Sequence, residues 1–180
     1  MTWLDDAQRV DVAVYAAIAQ TPTPTLDRAM SRLSQAANYS RLSIASAAVL
    51  AAVGGQTGRR AAAGGLASVA VTSSVVNLLV KPLGRRRRPD RAAQEVPIAR
   101  HVDMPSSSSF PSGHSAAAFA FATGGGRTMP QVAVPLRALA AAVAYSRLHT
   151  GVHYPSDVLV GSLTGLVLAA LTERWLDARS

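Results

Sequence analysis

Residues 146–157 hold the densest set of side chains in this sequence that could take part in catalysis. The stretch places the guanidinium of Arg147, two imidazoles and the carboxylate of Asp157 between two largely apolar runs. Each unpaired polar group inside a hydrocarbon layer costs several kcal/mol, so these side chains do not belong on a lipid-facing helix. We expect them at the mouth of a helical bundle, where an anionic ligand could reach them.

Within this stretch, His153 and Asp157 are separated by three residues that include a proline. Asp157 could stabilise the N-terminus of the following helix, or it could accept a hydrogen bond from Nδ1 of His153. The second arrangement would fix the imidazole tautomer and leave Nε2 free as a nucleophile. Arg147 offers paired donors that match phosphate oxygens. His149 and His101 lack such neighbours, and we expect neither to take part in the chemistry.

A second candidate lies at residues 110–115, which read Phe-Pro-Ser-Gly-His-Ser. Ser112 suits the N-cap of a helix, and Gly113 lets a ligand approach the backbone. The free N–H groups of a helix N-terminus bind phosphate, and His114 in the first turn could carry a proton. An ordinary helix cap beside a hydrogen-bonded histidine is the alternative interpretation.

A third candidate, residues 81–89, reads Lys-Pro-Leu-Gly-Arg-Arg-Arg-Arg-Pro and follows an apolar segment. Such a run can mark a solvated face, a topology signal or a patch for anionic lipid. We expect no nucleic-acid partner, because the chain offers neither an accessible basic face nor an aromatic platform. With Arg147, the cations Lys81 and Arg88 could surround a phosphoryl group. The sequence shows no carboxylate cluster or ligand-spaced histidine pair, so we expect no metal and no other cofactor.

The composition indicates a helical membrane protein. The 180-residue chain carries a net charge of +8 and is 49% hydrophobic but only 5% aromatic. Its mean hydropathy is +0.19 although 16% of the residues are charged, so the charges must be confined to short stretches. Small aliphatic residues of this kind favour tightly packed helices. Cysteine is absent, which excludes disulfides and thiolate nucleophiles, and the acidic first residues predict no cleaved signal peptide.

We predict an all-α integral membrane bundle of about five transmembrane helices at residues 41–180. The apolar segments are residues 42–55, 61–80, 115–123, 132–145 and 158–171. Several are shorter than the roughly 20 residues that a hydrocarbon core requires, so they must borrow flanking residues or thin the bilayer. Residues 1–40 are predicted to form amphipathic helices that lie on the membrane or pack against the bundle. Insertion of the first of these as a short span is the alternative.

Five spans would place residues 81–111 and 146–157 on the same side of the membrane. Basic residues on the opposite side favour a cytoplasmic location for that side. The side that holds the site also carries Lys81 and the arginine run, so the rule leaves the orientation open and only leans to an outward-facing site. We expect an integral plasma (inner) membrane protein of a bacterium. Gly161 and Gly165 have the spacing of a helix-packing motif, which could serve packing within the chain or a homodimer.

The three clusters together resemble the motifs of the type 2 phosphatidic acid phosphatase superfamily. The first motif is a lysine, Lys81, followed after six residues by Arg-Pro. The second motif is Pro-Ser-Gly-His and ends at His114. The third reads Ser-Arg, five residues, His, three residues, Asp, and ends at Asp157. Residue type, spacing and order all agree. The N-terminus departs from the pattern, because six spans are common in that family and residues 3–38 are polar and broken here.

This resemblance implies a metal-independent lipid phosphatase. His153 would attack phosphorus and form a phosphohistidine, Asp157 would orient it, and His114 would protonate the leaving oxygen. The phosphoryl oxygens would be held by Lys81, Arg88, Ser112, Gly113 and Arg147. The substrate would be a membrane lipid that carries a phosphomonoester or a diphosphate. Polyprenyl diphosphates, polyprenyl-phosphoryl sugar phosphates and phospholipid phosphates are the candidates.

Two other functions compete with a lipid phosphatase. The same motifs resemble those of vanadium-dependent haloperoxidases, but these are soluble and larger, and the apolar spans argue against them. A non-catalytic membrane protein that binds or translocates phospholipid is the other alternative, and the intact histidines and Asp157 argue against it. Residues 85–87 are arginines that the motif does not require. We hypothesise that they favour a more highly charged headgroup.

Overall fold

The computed structural model describes residues 2–179, and its regular elements are helices. The α-helices are α1 (Trp3–Gln20), α2 (Pro24–Ala36), α3 (Arg41–Val53), α4 (Gly55–Ser74), α5 (Lys81–Leu83), α6 (Gly113–Thr128), α7 (Ala133–His149) and α8 (Pro155–Asp177). Short 3-10 turns lie at Asn38–Ser40, Ile98–Arg100 and Pro130–Val132. No β-strand occurs in this part of the chain. The prediction of an all-α fold is confirmed.

All five predicted apolar segments are helical, but their lengths differ. α4 runs through the π-helical segment Val75–Val80 into α5, giving a continuous helix of 29 residues. This helix and the 23-residue α8 are the two in the described chain that are long and apolar enough to cross a membrane. α3, α6 and α7 have 13, 16 and 17 residues. The number of spans therefore remains a prediction.

Helix α6 lies at the centre of the bundle and packs against α4, α7 and α8. Small residues allow the backbones to approach closely. A Cβ atom on Gly165 would lie 2.2 Å from the carbonyl oxygen of Ala116, and one on Gly161 would lie 2.4 Å from that of Ser112. The Gly161 and Gly165 face is therefore used for packing inside the chain. A homodimer stays a prediction and would need another surface.

Large apolar side chains project outward from the long helices. On α3, α4 with its π-helical extension, and α8, the exposed ones include Ile44, Val49, Val53, Val71, Leu78, Leu79, Leu159, Leu163, Val167 and Leu171. Soluble monomers rarely expose so extensive an apolar surface, whereas a bilayer would cover it. This surface is typical of helices that face lipid.

The N-terminal helices pack on the bundle. α1 contacts α7 and α8, and α2 contacts α7. Tyr15 of α1 is 1% exposed and its ring lies 5.8 Å from that of Tyr154. The two helices are separated by residues 21–23, in agreement with the broken segment expected at residues 3–38. Neither reaches the length and apolarity that a membrane span requires.

A buried ion cluster anchors α2 to the loop before α6 and to α7. The guanidinium of Arg100, 0% exposed, donates from Nε to Oδ1 of Asp27 at 2.8 Å. Its Nη2 donates to the carbonyl oxygen of Thr21 at 2.6 Å, just beyond the end of α1. Nε2 of His149 lies 2.8 Å from the same Asp27 oxygen. The cluster fixes α1 and α2 against the bundle, and it gives His149 a structural role.

Candidate active site

The three motifs meet at one end of the bundle. Lys81 lies at the end of the long α4–α5 helix, Ser112 caps α6, and Asp157 lies in the first turn of α8. The backbone N–H of Ser112 donates to the carbonyl oxygen of Asp157 at 2.9 Å, which joins α6 to α8. Nζ of Lys81 lies 3.6 Å from the position that a Cβ atom on Gly113 would occupy. Residues far apart in sequence therefore line one site.

The imidazole of His153 is held between a guanidinium and a carboxylate. Nε2 lies 3.3 Å from Nη1 of Arg88. Since arginine can only donate hydrogen bonds, Nε2 is the acceptor and the ring proton lies on Nδ1. Nδ1 lies 3.5 Å from Oγ of Ser109 and 3.6 Å from Oδ2 of Asp157. The nitrogen predicted to act as a nucleophile is therefore the one without a proton.

Asp157 caps the following helix and also lies beside the ring of His153, with its Oδ2 3.6 Å from Nδ1. Its Oδ2 accepts a hydrogen bond from the backbone N–H of Tyr154 at 2.8 Å, which caps α8. The same oxygen accepts from Oγ of Ser109 at 2.5 Å, so Ser109 contacts both the carboxylate and the ring of His153. Oδ1 accepts from Nη1 of Arg86 at 2.8 Å. These donors favour the ionised carboxylate behind His153.

The surroundings of His153 keep its ring neutral. The side chain is buried, with 1% of the residue exposed. Burial, together with the charges of Arg88 and Arg147, lowers the pKa of the His153 imidazole to about 4, and the nearby carboxylate of Asp157 opposes that shift. A neutral imidazole is the form that can attack phosphorus at neutral pH.

Three cations surround the site without a carboxylate partner. Among the described residues, no salt bridge involves Lys81, Arg88 or Arg147. Nζ of Lys81 donates to Oγ of Ser107 at 3.3 Å, and Nε of Arg88 donates to the Ser107 carbonyl oxygen at 3.0 Å. Burial lowers the pKa of the Arg88 guanidinium. An anion bound among these cations would offset the cost of burying them.

Arg147 has a buried donor that no protein group in the described chain accepts. Its Nη1 donates to the carbonyl oxygen of Ser34 at 3.2 Å and to the Ser34 hydroxyl at 2.5 Å. Its Nε is buried and has no hydrogen-bond partner within the described chain. An unpaired buried N–H of a guanidinium is costly, so this donor suits a ligand oxygen.

His114 lies in the first turn of α6, at the edge of a cavity. Charges on Lys81, Arg88 and Arg147 act on its ring at close range. Nε2 of His114 lies 2.9 Å from Oδ1 of Asn38, in the turn between α2 and α3. The cavity, of about 160 Å³, is lined by Lys81, Gly113 and His114 together with mainly small residues of the turn between α2 and α3, of α3, of α4 with its π-helical extension, of α6 and of α7. All eight residues predicted from the motifs thus lie at this end of the bundle.

Several residues at the site were not predicted from the motifs. Arg86 bridges Asp157 and Asp11 of α1, at 2.8 Å and 2.7 Å, and its guanidinium lies 4.2 Å from the ring centre of Tyr154. Burial by itself would lower the pKa of Arg86, but the carboxylates of Asp11 and Asp157 outweigh it and raise the pKa above its usual value. Ser109 lies inside a serine run, where nothing distinguishes it from its neighbours. No local spacing identifies these residues, because their partners come from distant elements.

The three arginines at residues 85–87, which we hypothesised to favour a more highly charged headgroup, do not share one environment. Arg86 turns toward Asp157, behind the nucleophile, while Arg85 and Arg87 are exposed. Of the histidines predicted to take no part, His149 belongs to the Asp27 cluster. His101 is exposed, with its Nε2 3.0 Å from the carbonyl oxygen of Val96.

Comparison with known proteins places this geometry in a family. The profile of the PAP2 superfamily matches residues 62–180, which include all three motifs. The chain belongs to the PAP2 superfamily. The resemblance found in the motifs is thereby confirmed, and with it an all-α integral membrane fold. The PAP2 profile begins within α4, so it covers neither α1 nor α2.

Two bacterial relatives in the PAP2 superfamily are decaprenylphosphoryl-5-phosphoribose phosphatases. The one from Mycobacterium tuberculosis (strain ATCC 25618 / H37Rv) is 42% identical over 108 residues, covering 58% of this chain and 55% of the relative. This chain thus spans about half the length of that protein. The one from Mycolicibacterium smegmatis is 35% identical over 168 residues, covering 88% of this chain and 84% of the relative.

A solved PAP2 structure shares the fold. It is the transmembrane phosphatidylglycerolphosphate phosphatase from Bacillus subtilis, with a TM-score of 0.72 and 25% sequence identity. The superposition covers 97% of this chain and 88% of that protein. The N-terminal helices therefore fall within the shared fold even though the PAP2 profile leaves them out.

Proposed function

We propose that this PAP2 chain hydrolyses a phosphate ester or diphosphate on a membrane lipid, without a metal ion, through a phosphohistidine on His153. One observation carries the proposal. The unprotonated Nε2 of His153 faces Arg88 in a site where three cations have no carboxylate partner among the residues that the structure describes. A phosphoryl group placed among them would bring its oxygens to the cations and its phosphorus to the nucleophile.

In the first step, Nε2 of His153 forms a bond to phosphorus while the bond to the leaving oxygen breaks. The proton of Nδ1 remains on the ring and gains stabilisation from Asp157 and Ser109 as positive charge develops. His114 supplies the proton that the leaving oxygen takes up. Lys81, Arg88, Arg147 and the backbone N–H groups of Ser112 and Gly113 hold the equatorial oxygens.

In the second step, water attacks phosphorus and the bond to Nε2 of His153 breaks. His114, now neutral, accepts the proton that the water gives up, and inorganic phosphate leaves. The site thus returns to its starting protonation state. The arginines and the lysine stabilise the charge of both transition states, which is the role that metal ions take in many other phosphoryl-transfer enzymes.

We infer a polyprenyl-phosphoryl sugar phosphate as the preferred substrate class. Both mycobacterial relatives are named for a substrate of this kind, and the M. smegmatis one aligns over most of both chains. The cavity beside His114 would take the leaving group, and the apolar outer surface of the bundle would contact the tail. Hydrolysis would be expected on the outer face of the plasma membrane, the side that the distribution of basic residues favours.

Binding or translocation of phospholipid without hydrolysis remains the competing function. The neutral His153 backed by Asp157 and Ser109 supports hydrolysis, because a binding site needs no unprotonated nitrogen facing the anion. The test is release of phosphate by purified protein in detergent from a panel of phosphate monoesters and diphosphates on prenyl and acyl lipids. We expect release in excess chelator and inhibition by vanadate. Binding of these lipids without release from any of them would contradict the proposal.

A further inference from the structure

The turn between α2 and α3 brings an amide to the histidine of the second motif. Asn38 lies on the 3-10 turn Asn38–Ser40, and its Oδ1 is 2.9 Å from Nε2 of His114. None of the three motifs includes Asn38, and it lies outside the region that the PAP2 profile matches. The contact joins the N-terminal segment directly to the proposed acid.

The backbone at this turn is unusual, and neighbouring contacts hold it in place. Tyr39 and Ser40 both have left-handed backbone angles, with φ of 56° and 55°. Non-glycine residues adopt this region infrequently, and here two do so in succession. One turn of helix earlier, Ser34 accepts hydrogen bonds from Arg147. The end of α2 and the turn that follows it therefore contact both a proposed phosphate-binding residue, Arg147, and the proposed acid, His114.

The chemistry of an acid catalyst explains why such a partner is useful. If Nε2–H of His114 donates to Oδ1 of Asn38, Nδ1 is the nitrogen left to exchange a proton with substrate. The amide oxygen then stabilises the imidazolium before transfer and keeps the ring orientation afterward. A neutral acceptor does this without the charge of a carboxylate, which would hold the proton on the ring more tightly.

We propose that Asn38 is a positioning residue for His114, and that it fixes the Nε2–H tautomer and aims Nδ1 at the leaving oxygen. The inference rests on the proposed function. During formation of the phosphohistidine, the Nδ1 proton of His114 passes to the leaving oxygen. During its hydrolysis, the proton from water returns to Nδ1. Through both steps the Nε2–H group stays bonded to Asn38.

The dependence of rate on the leaving group tests this role. Two phosphates with the same hydrocarbon tail are compared, one an ester of a primary alcohol and one of a nitrophenol, whose anion leaves without protonation. Asn38→Ala is expected to lower kcat on the alkyl ester by roughly 10-fold to 100-fold, within the contribution of a positioned acid. On the nitrophenyl ester it should lower kcat less than about threefold. An equal loss on both esters would mean a merely structural role and would overturn the inference.

Two further comparisons sharpen the assignment. In a His114→Ala background, Asn38→Ala should cause no additional loss on the alkyl ester, because both changes remove the same effect. A multiplied loss would show that Asn38 acts elsewhere. Gln35→Ala, which removes an exposed amide on α2, is the matched control and should leave both rates unchanged.

A spectroscopic measurement separates this inference from the proposed function. The chain has four histidines, so ring 15N shifts of labelled protein in detergent can be assigned with single variants. At a pH where the ring is neutral, wild type should show His114 with a proton on Nε2 and none on Nδ1, and Asn38→Ala should give a mixture of tautomers. A neutral wild-type ring with its proton on Nδ1 instead of Nε2 would overturn the inference even if the protein hydrolyses lipid phosphates. If the protein releases phosphate from none of the lipids, the proposed function is refuted. The tautomer of His114 would still show whether its Nε2–H donates to Asn38.

Discussion

The guanidinium of Arg88 lies against the ring nitrogen of His153 that would attack phosphorus, with Nη1 and Nε2 3.3 Å apart. The contact has two consequences. It sets the tautomer, because a guanidinium cannot accept a hydrogen bond from Nε2. It also places a positive charge where the phosphoryl oxygens of a bound substrate would be. In the proposed mechanism, Arg88 therefore sets the tautomer of the nucleophile and also binds the phosphoryl group that it attacks.

Replacement of His153 tests the covalent step. His153→Ala should abolish phosphate release, and it should remove the acid-labile phosphoprotein that rapid quenching with labelled substrate is expected to trap in wild type. His149→Ala is a poor control because His149 belongs to the buried Asp27 cluster. His101→Ala, at an exposed histidine, is the better one and should leave the trapped phosphoprotein unchanged. Turnover by His153→Ala at the wild-type rate would refute the mechanism.

The pH dependence should show a step near pH 4 that belongs to His153. Its pKa is lowered, so the imidazole stays neutral above about pH 4, and activity is lost as the pH falls through that value. A phosphate monoester has its own ionisation at about pH 6. Profiles of kcat/KM for two substrates whose phosphates differ in pKa separate the two effects. The substrate step should move between them and the step near 4 should not. A fixed step at pH 6.5 instead would show an unperturbed histidine.

Arg86 is expected to act through Asp157. Arg86→Ala leaves that buried carboxylate without its guanidinium partner, so the support for a positively charged His153 weakens in the transition state. We expect kcat to fall by about 10-fold to 100-fold with little change in KM, in the range of a charged hydrogen bond of about 1.5–3 kcal/mol.

Arg85→Ala and Arg87→Ala are the matched controls for Arg86, since both side chains are exposed in the same arginine run. Neither should lower kcat on a monoester. If they raise KM for a diphosphate more than for a monoester, the hypothesis that these arginines favour a more highly charged headgroup is supported. Equal effects on both substrates would count against it. A raised KM with unchanged kcat for Arg86→Ala would show that Arg86 binds substrate instead of positioning Asp157.

Arg100 should matter for stability and not for the chemical step. Arg100→Ala leaves Asp27 buried beside His149 and removes the bonds to the end of α1. Removal of one partner from a buried ion pair lowers the free energy of unfolding by about 3–5 kcal/mol. The thermal unfolding midpoint in detergent should therefore drop by several degrees. Arg127→Ala removes an exposed pair with Asp177, half exposed on both sides, and should shift the midpoint only slightly. Equal shifts would contradict the anchoring role.

The sequence by itself predicted the chemistry that we propose for the site, and it determined the helices that carry it. Spacing along one chain segment fixes near neighbours, so the segment from His153 to Asp157 implied a histidine beside a carboxylate. Apolar segments between polar ones implied helices, and all five are helical. Ser112 was predicted as a helix cap from its residue type, and the prediction is confirmed because its hydroxyl accepts a hydrogen bond from the backbone N–H of Ser115.

Only the tertiary structure decided which residues support those groups. Asp11 and Asn38 reach the site from segments that the sequence placed at the periphery, and Arg86 differs from Arg85 only in the direction in which the folded chain turns it. Ser109 differs from the other serines of its run because the folded loop lets its hydroxyl donate to Asp157 of α8. The physical reason is that such contacts depend on how whole helices pack, and packing is set by the sum of many small-residue contacts. A sequence motif identifies site residues that are close along the chain, whereas their partners from other helices are identified only in the folded structure.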